Sequence, residues 1–160
     1  MMARDAGLKR TVLRGMGAAL LACGLLGAGA AMAQDPNTVI EARKEALKRA
    51  AGSMKAIGAF VKEGSGTAAD VQKAVAVLVE VSGGMPQWFP EGTAKGVGKS
   101  EALPAIWQNR ADFDKKLAAF QAESKNFATI AAGGDKAAIG KQLGVVGGTC
   151  KACHDSYKGD

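Results

Sequence analysis

The chain has 160 residues, of which 48% are hydrophobic and 22% charged, and a formal net charge of +6. That length suits one domain with an export leader rather than several domains. Its lysines are dispersed among acids and aromatic residues make up only 5%, which excludes a basic, aromatic-lined nucleic-acid surface.

Residues 1–33 read as a secretory signal peptide. Arg4, Lys9, Arg10 and Arg14 form a basic region, and Leu20-Leu21-Ala22 and Leu25-Leu26 sit in an apolar stretch rich in glycine and alanine. Ala31-Met32-Ala33 fits the small-x-small cleavage rule. Two other readings compete. A membrane anchor needs a longer unbroken apolar run than this glycine-interrupted one, and Leu20-Leu21-Ala22-Cys23 resembles a lipobox although the apolar run continues beyond it. No Arg-Arg pair is present, so the sequence predicts export of an unfolded chain to the periplasm, with no stable membrane association after cleavage. Cleavage after Ala33 removes 33 of the 160 residues and leaves 127, residues 34–160, as one domain. The leader holds four of the 21 basic residues and one of the 15 acids, so the mature net charge is +3.

From Asn37 to about Glu63, Ile40, Leu47, Met54, Ile57 and Val61 recur at helical spacing. Thr38 with Glu41 three residues later predicts a capping box, and Gly64-Ser65-Gly66 a stop. Thr67-Ala68-Ala69-Asp70 opens a second helix, with Val71, Val75, Leu78 and Val79 inward and Ser82-Gly83-Gly84 closing it. Met85 to Lys99, punctuated by proline and glycine, reads as a long connection that Trp88 and Phe89 pack down. Ser100 is expected to cap a third helix, with Pro104 in its first turn. Leu103, Ile106, Arg110, Phe113, Leu117, Phe120, Ser124, Phe127 and Ala131 alternate three and four apart, a heptad seam that predicts shallow packing on neighbours. Gly133-Gly134 ends it. Asp135 to about Tyr157 forms a fourth helix, in which Gly140, Gly144, Gly147 and Gly148 each lower helix propensity by about 1 kcal/mol relative to alanine. Their small size predicts close approach of a flat group or a neighbouring helix. Strand patterns are absent, so the expected fold is all-α, an antiparallel up-down four-helix bundle.

The fourth helix carries Cys150-Lys151-Ala152-Cys153-His154, and C-x-x-C-H is the attachment signature of a c-type haem. Two thiols three residues apart can add to the two vinyl groups on one porphyrin edge, while the next residue sets an imidazole beneath the iron. On a helix Cys150 and His154 share one face a turn apart. His154 is the single histidine of the chain, so a haem bound here takes it as axial ligand and bis-histidine coordination is excluded. A redox or structural disulfide is a second reading, but thioredoxin-like C-x-x-C sites follow a strand. Zinc is a third, but structural sites take four Cys/His ligands and the exported chain supplies three.

The haem motif stands at the end of a four-helix chain that also carries Arg43-x-x-x-Leu47, Trp88-Phe89-Pro90-Glu91-Gly92-Thr93, Pro104-Ala105-Ile106-Trp107 and the run Gly147 to Lys158. Over residues 37–158 this combination resembles the cytochrome c′ family, the high-spin branch of the class II c-type cytochromes. The resemblance implies one covalent haem c per chain, held by Cys150 and Cys153, with His154 on one side of a five-coordinate iron. It implies Leu47 over the vacant distal face, and Arg43 beside a haem propionate, where its fork matches a carboxylate. Lys44 and Glu101 fall along the haem edge, and Lys158, four after His154, near the proximal face. The function implied is binding of nitric oxide and carbon monoxide, with electron exchange with a periplasmic redox partner, rather than enzymatic turnover. A homodimer through the first two helices is also implied, for which Val77 or Val81 would be exposed apolar positions. The alternative is a low-spin, six-coordinate electron carrier with a methionine as sixth ligand. Only Met54 and Met85 remain after the leader, and Met54 lies about 10 Å along the helix axis from Leu47.

Overall fold

The computed structural model describes residues 34–159, so the signal-peptide reading of residues 1–33 lies outside the described residues. Four long helices, α1 (Pro36–Glu63), α2 (Ala68–Gly84), α4 (Arg110–Gly133) and α5 (Lys136–Tyr157), are joined by a 3₁₀ turn (Met85–Trp88) and a short α3 (Ala105–Gln108). Each long helix packs on the next and α5 closes the ring on α1, the up-down bundle that the sequence predicts. No strand occurs among the described residues; one isolated bridge joins Ala102 and Lys158.

The core follows the helical periodicities. Ile40 and Ile57 of α1, Val75 and Leu78 of α2, Phe113 and Phe127 of α4, and Ile139 and Val146 of α5 are fully buried. The predicted seam from Ile106 to Ala131 faces inward along its length, with Arg110 and Leu103 half-buried at its start.

Two starts differ from expectation. Helix α1 is capped by Asp35, whose carboxylate accepts from the Asn37 N–H, with Pro36 in the first turn. A proline there sacrifices no helical bond, so the helix begins before Thr38, whose hydroxyl instead donates to Asp35 at 3.2 Å. Ser100 does not cap the third helix either. Its hydroxyl is bonded elsewhere, α3 starts after Pro104, and the chain leaves helical geometry at Asn109 (φ −129°, ψ 54°) before α4. By contrast the Thr67 and Asp70 side chains form a reciprocal capping box at α2.

The connection from Met85 to Lys99 is packed: Met85, Phe89 and Thr93 are buried, as is Ser100 beyond it. The chain end is tied down rather than frayed. The Leu103 N–H donates to the Tyr157 carbonyl at 2.9 Å and the Gly159 N–H to Glu101 at 2.7 Å. Of the two apolar positions expected to support a homodimer, Val81 is buried inside the subunit, while Val77 packs against the core only in part and stays half-buried.

Candidate functional site

A cavity of about 800 Å³ opens between the first half of α1, the start of α4 and the end of α5, a size typical of cofactor sites. Arg43, Lys44, Leu47, Glu101, Cys150, Cys153, His154 and Lys158, the eight residues singled out from sequence, all line it. Leu78, Met85, Phe113 and Phe120 give it apolar walls.

The pairing of α1 and α5 fixes which residues face each other. A Cβ on Gly140 would meet Val61 at 3.0 Å, one on Gly58 would meet Leu143 at 4.0 Å, and one on Gly147 would meet Met54 at 3.8 Å. Each step forward along α1 is thus matched by an equal step back along α5, as antiparallel helices require. Continuing the register two turns from Met54 and Gly147 sets Leu47 level with His154. Gly140 serves the close approach expected of it, whereas a Cβ on Gly147 would make only an ordinary contact with Met54. Gly144 and Gly148 face open space, so there the small residue is only a weak helix former.

Cys150 and Cys153 are free, half-buried thiols. Burial pushes both above the ordinary thiol value, Cys153 to about 11.

Arg43 departs from its expected geometry. It is 3% exposed, and its terminal nitrogens donate to the carbonyl oxygens of Trp88 and Thr93 and to the hydroxyls of Thr93 and Ser100 at 2.8–3.3 Å. Its guanidinium lies over the Phe89 ring, 4.7 Å from the centroid. The fork expected to meet a carboxylate is taken up by the loop. Every acceptor is a neutral oxygen and no ion pair to Arg43 occurs among the described residues, while burial lowers its pKa. A buried cation without a counter-ion is unfavourable unless something anionic completes it.

At the rim, Lys44 pairs with Glu41 at 3.1 Å and Lys158 with Glu101 at 3.2 Å. These exposed pairs contribute little stability. Lys158 follows the last helical residue in extended backbone (φ −106°, ψ 128°), so it does not continue the helix face of His154 and turns instead to Glu101.

Sequence reasoning missed the partners that hold these groups. Thr93 stood in the quoted loop run without a role, and Ser100 was assigned to a helix cap. An aromatic row also went unread: Phe89 stacks edgewise on Phe113 at 4.8 Å, and Phe113 on Tyr157 at 5.3 Å. The Tyr157 hydroxyl donates to Asp112 at 2.7 Å. Burial, that hydrogen bond and the Asp112 charge push the phenol up to about 12.

The donor set fits a haem. Two thiols on α5, Cys150 one turn before the imidazole and Cys153 next to it, match two vinyl groups and an iron, the apolar walls suit a macrocycle, and the uncompensated guanidinium suits its carboxylates. The sequence model of the Cytochrome C' family matches residues 38–158. The chain belongs to the cytochrome c′ family. Its cofactor is haem c, attached covalently as in that family. Cytochrome c′ of Rhodospirillum rubrum is 43% identical over 133 residues, covering 81% of this chain and 88% of the relative. Two solved structures of cytochrome c prime variants from Alcaligenes xylosoxidans, one a nitric oxide complex and one with carbon monoxide bound, superpose with a TM-score of 0.71. Each is 30% identical, covering 79% of this chain and 98% of its own.

Proposed function

We propose that this cytochrome c′ is a periplasmic mono-haem protein with a five-coordinate, high-spin iron. It binds nitric oxide and carbon monoxide on the face toward Leu47, and it exchanges electrons with a redox partner rather than turning over a substrate. Cys150 and Cys153 would hold the haem, each thiol supplying the S–H for one thioether to a vinyl group with no leaving group and no net oxidation. His154 would ligate the iron, Lys44 and Glu101 would border the haem edge, and Lys158 would stand near the proximal face. The bound haem supplies a vacant coordination position and one-electron chemistry.

The observation that carries this reading is the α1–α5 register, which puts Leu47 level with His154 across the cavity. Leucine has no lone pair for iron, so it keeps out water and anions by bulk and low polarity. An uncharged diatomic enters by displacing it. Beyond Lys44 and Lys48, Ala50, Ala51 and Met54 continue an apolar lining along α1, which favours nitric oxide and carbon monoxide over a polar bound dioxygen. Variants of the A. xylosoxidans protein with nitric oxide and with carbon monoxide bound support the binding of these two gases. The leader supports the compartment.

The register also weighs against a methionine-ligated iron. Met54 packs at the level of Gly147, two helical turns or about 10 Å from the level of His154. Optical and EPR spectra of the holoprotein, ferric and ferrous, before and after nitric oxide, test the proposal. A high-spin spectrum that converts to a nitrosyl is expected. A low-spin spectrum indifferent to the gas would transfer the function to six-coordinate electron transfer.

A further inference from the structure

We propose that Thr93 and Ser100 are positioning residues for the cofactor. They clamp the Arg43 guanidinium so that a haem carboxylate meets its charge and a single N–H instead of its fork. This rests on the reading that the haem carboxylates lie toward Arg43 in the cavity.

A guanidinium has five N–H groups, four of them on the two terminal nitrogens. Here all four have acceptors. Nη1 donates to the Trp88 carbonyl at 3.1 Å and the Thr93 hydroxyl at 3.3 Å. Nη2 donates to the Thr93 carbonyl at 3.0 Å and the Ser100 hydroxyl at 2.8 Å. Only Nε–H is left for a ligand.

The acceptors are themselves fixed. The Thr93 hydroxyl donates its one proton to the Pro90 carbonyl at 2.8 Å. The Ser100 hydroxyl donates to the Thr93 carbonyl at 2.7 Å and accepts from the Ala102 N–H at 3.2 Å. Both hydroxyls therefore turn lone pairs, not protons, toward Arg43. With the Phe89 ring against its face, the guanidinium cannot swing without breaking several buried bonds at once.

The clamp holds a charge that no ion pair among the described residues neutralises. Glu41, Glu45 and Glu101 line the same cavity; Glu41 and Glu101 pair with Lys44 and Lys158, Glu45 is exposed, and no acid makes an ion pair with Arg43 among the described residues. A cation fixed at the wall of a low-dielectric cavity favours the form of the haem with one more electron. Holding it still makes the effect full, so the hydroxyls of Thr93 and Ser100 help to set the reduction potential without touching the haem.

The test is the reduction potential of the holoprotein, read together with hydrogen exchange of the amides of residues 88–102. Ser100→Ala and Thr93→Val are expected to lower the potential, Ser100→Thr to restore it, and Arg43→Met to lower it most, with the equally uncharged Arg43→Gln in its place if that variant does not fold. A wild-type potential in Ser100→Ala and Thr93→Val, with faster loop exchange or without it, overturns the proposal, because the hydroxyls would then only pack the loop. An unmoved potential in the Arg43 variant instead overturns the placement of the carboxylates beside Arg43. The two failures are thereby separable.

Discussion

Leu47 is half-buried against the core and also forms the cavity wall level with His154. Truncating it opens the space a gas must occupy. Leu47→Ala is expected to speed carbon monoxide association with the ferrous protein about tenfold, or about 1.4 kcal/mol off the barrier, as read by stopped-flow absorbance. An unchanged rate would place the leucine away from the iron. Its partial burial keeps the stability loss to about 1 kcal/mol, below the roughly 2–5 kcal/mol of a fully enclosed leucine. The grouping of Cys150, Cys153 and His154 was legible in the sequence because it is local, set by i+3 and i+4 spacing on one helix, whereas Leu47 lies on α1 and was expected from the family resemblance alone. The surroundings of Arg43 were not legible. Its acceptors lie 45 to 57 residues further along the chain, and a hydrogen bond between a helix and an irregular loop leaves no periodic trace.

The four long helices were readable because apolar periodicity and glycine punctuation agree over many residues. Their starts were harder, since several polar residues compete for each cap. Asp35 with Pro36 outcompeted Thr38, and the buried demand of Arg43 drew the Ser100 hydroxyl away from the third helix. The glycines of α5 were legible only as a group; their separate roles depend on what stands opposite. Gly144 faces open space, whereas a Cβ on Gly140 would press on a Val61 methyl at 3.0 Å. Gly144→Ala is therefore expected to stabilise the holoprotein by about 0.5–1 kcal/mol through helix propensity and a less flexible unfolded chain. Gly140→Ala should return less than that, or lose stability, because α1 and α5 must part slightly. Urea unfolding of both variants decides it, and equal gains would mean that the two helices are not in tight contact at Val61.

Across the whole molecule, the bundle keeps a cavity at one end and fastens the chain around it. Loop 88–100 is held from α1 by Arg43, the segment 101–103 pairs with the chain end, and Tyr157 ties the end of α5 to Asp112 on α4. That last tie links folding to pH at both extremes. The folded phenol titrates near 12 against an ordinary 10, so it binds its proton more tightly folded than unfolded. Its contribution is full below pH 10 and is lost as the pH climbs from 10 toward 12. The Asp112 carboxyl is held below its ordinary value of 3.8, first by the Tyr157 hydroxyl and then by Lys116. Its contribution is full above that ordinary value and is lost as the pH falls through the lowered one. Wild type should therefore exceed Tyr157→Phe in stability by a constant margin between about pH 5 and pH 9. The margin should shrink on both sides, because the variant has neither the phenol proton nor the hydrogen bond to lose. Thermal unfolding of the two holoproteins across the pH range measures it. A margin that stays level to pH 12 would reduce Tyr157 to its packing against Phe113, and the polar fastening of the chain end would then rest on the 101–103 pairing.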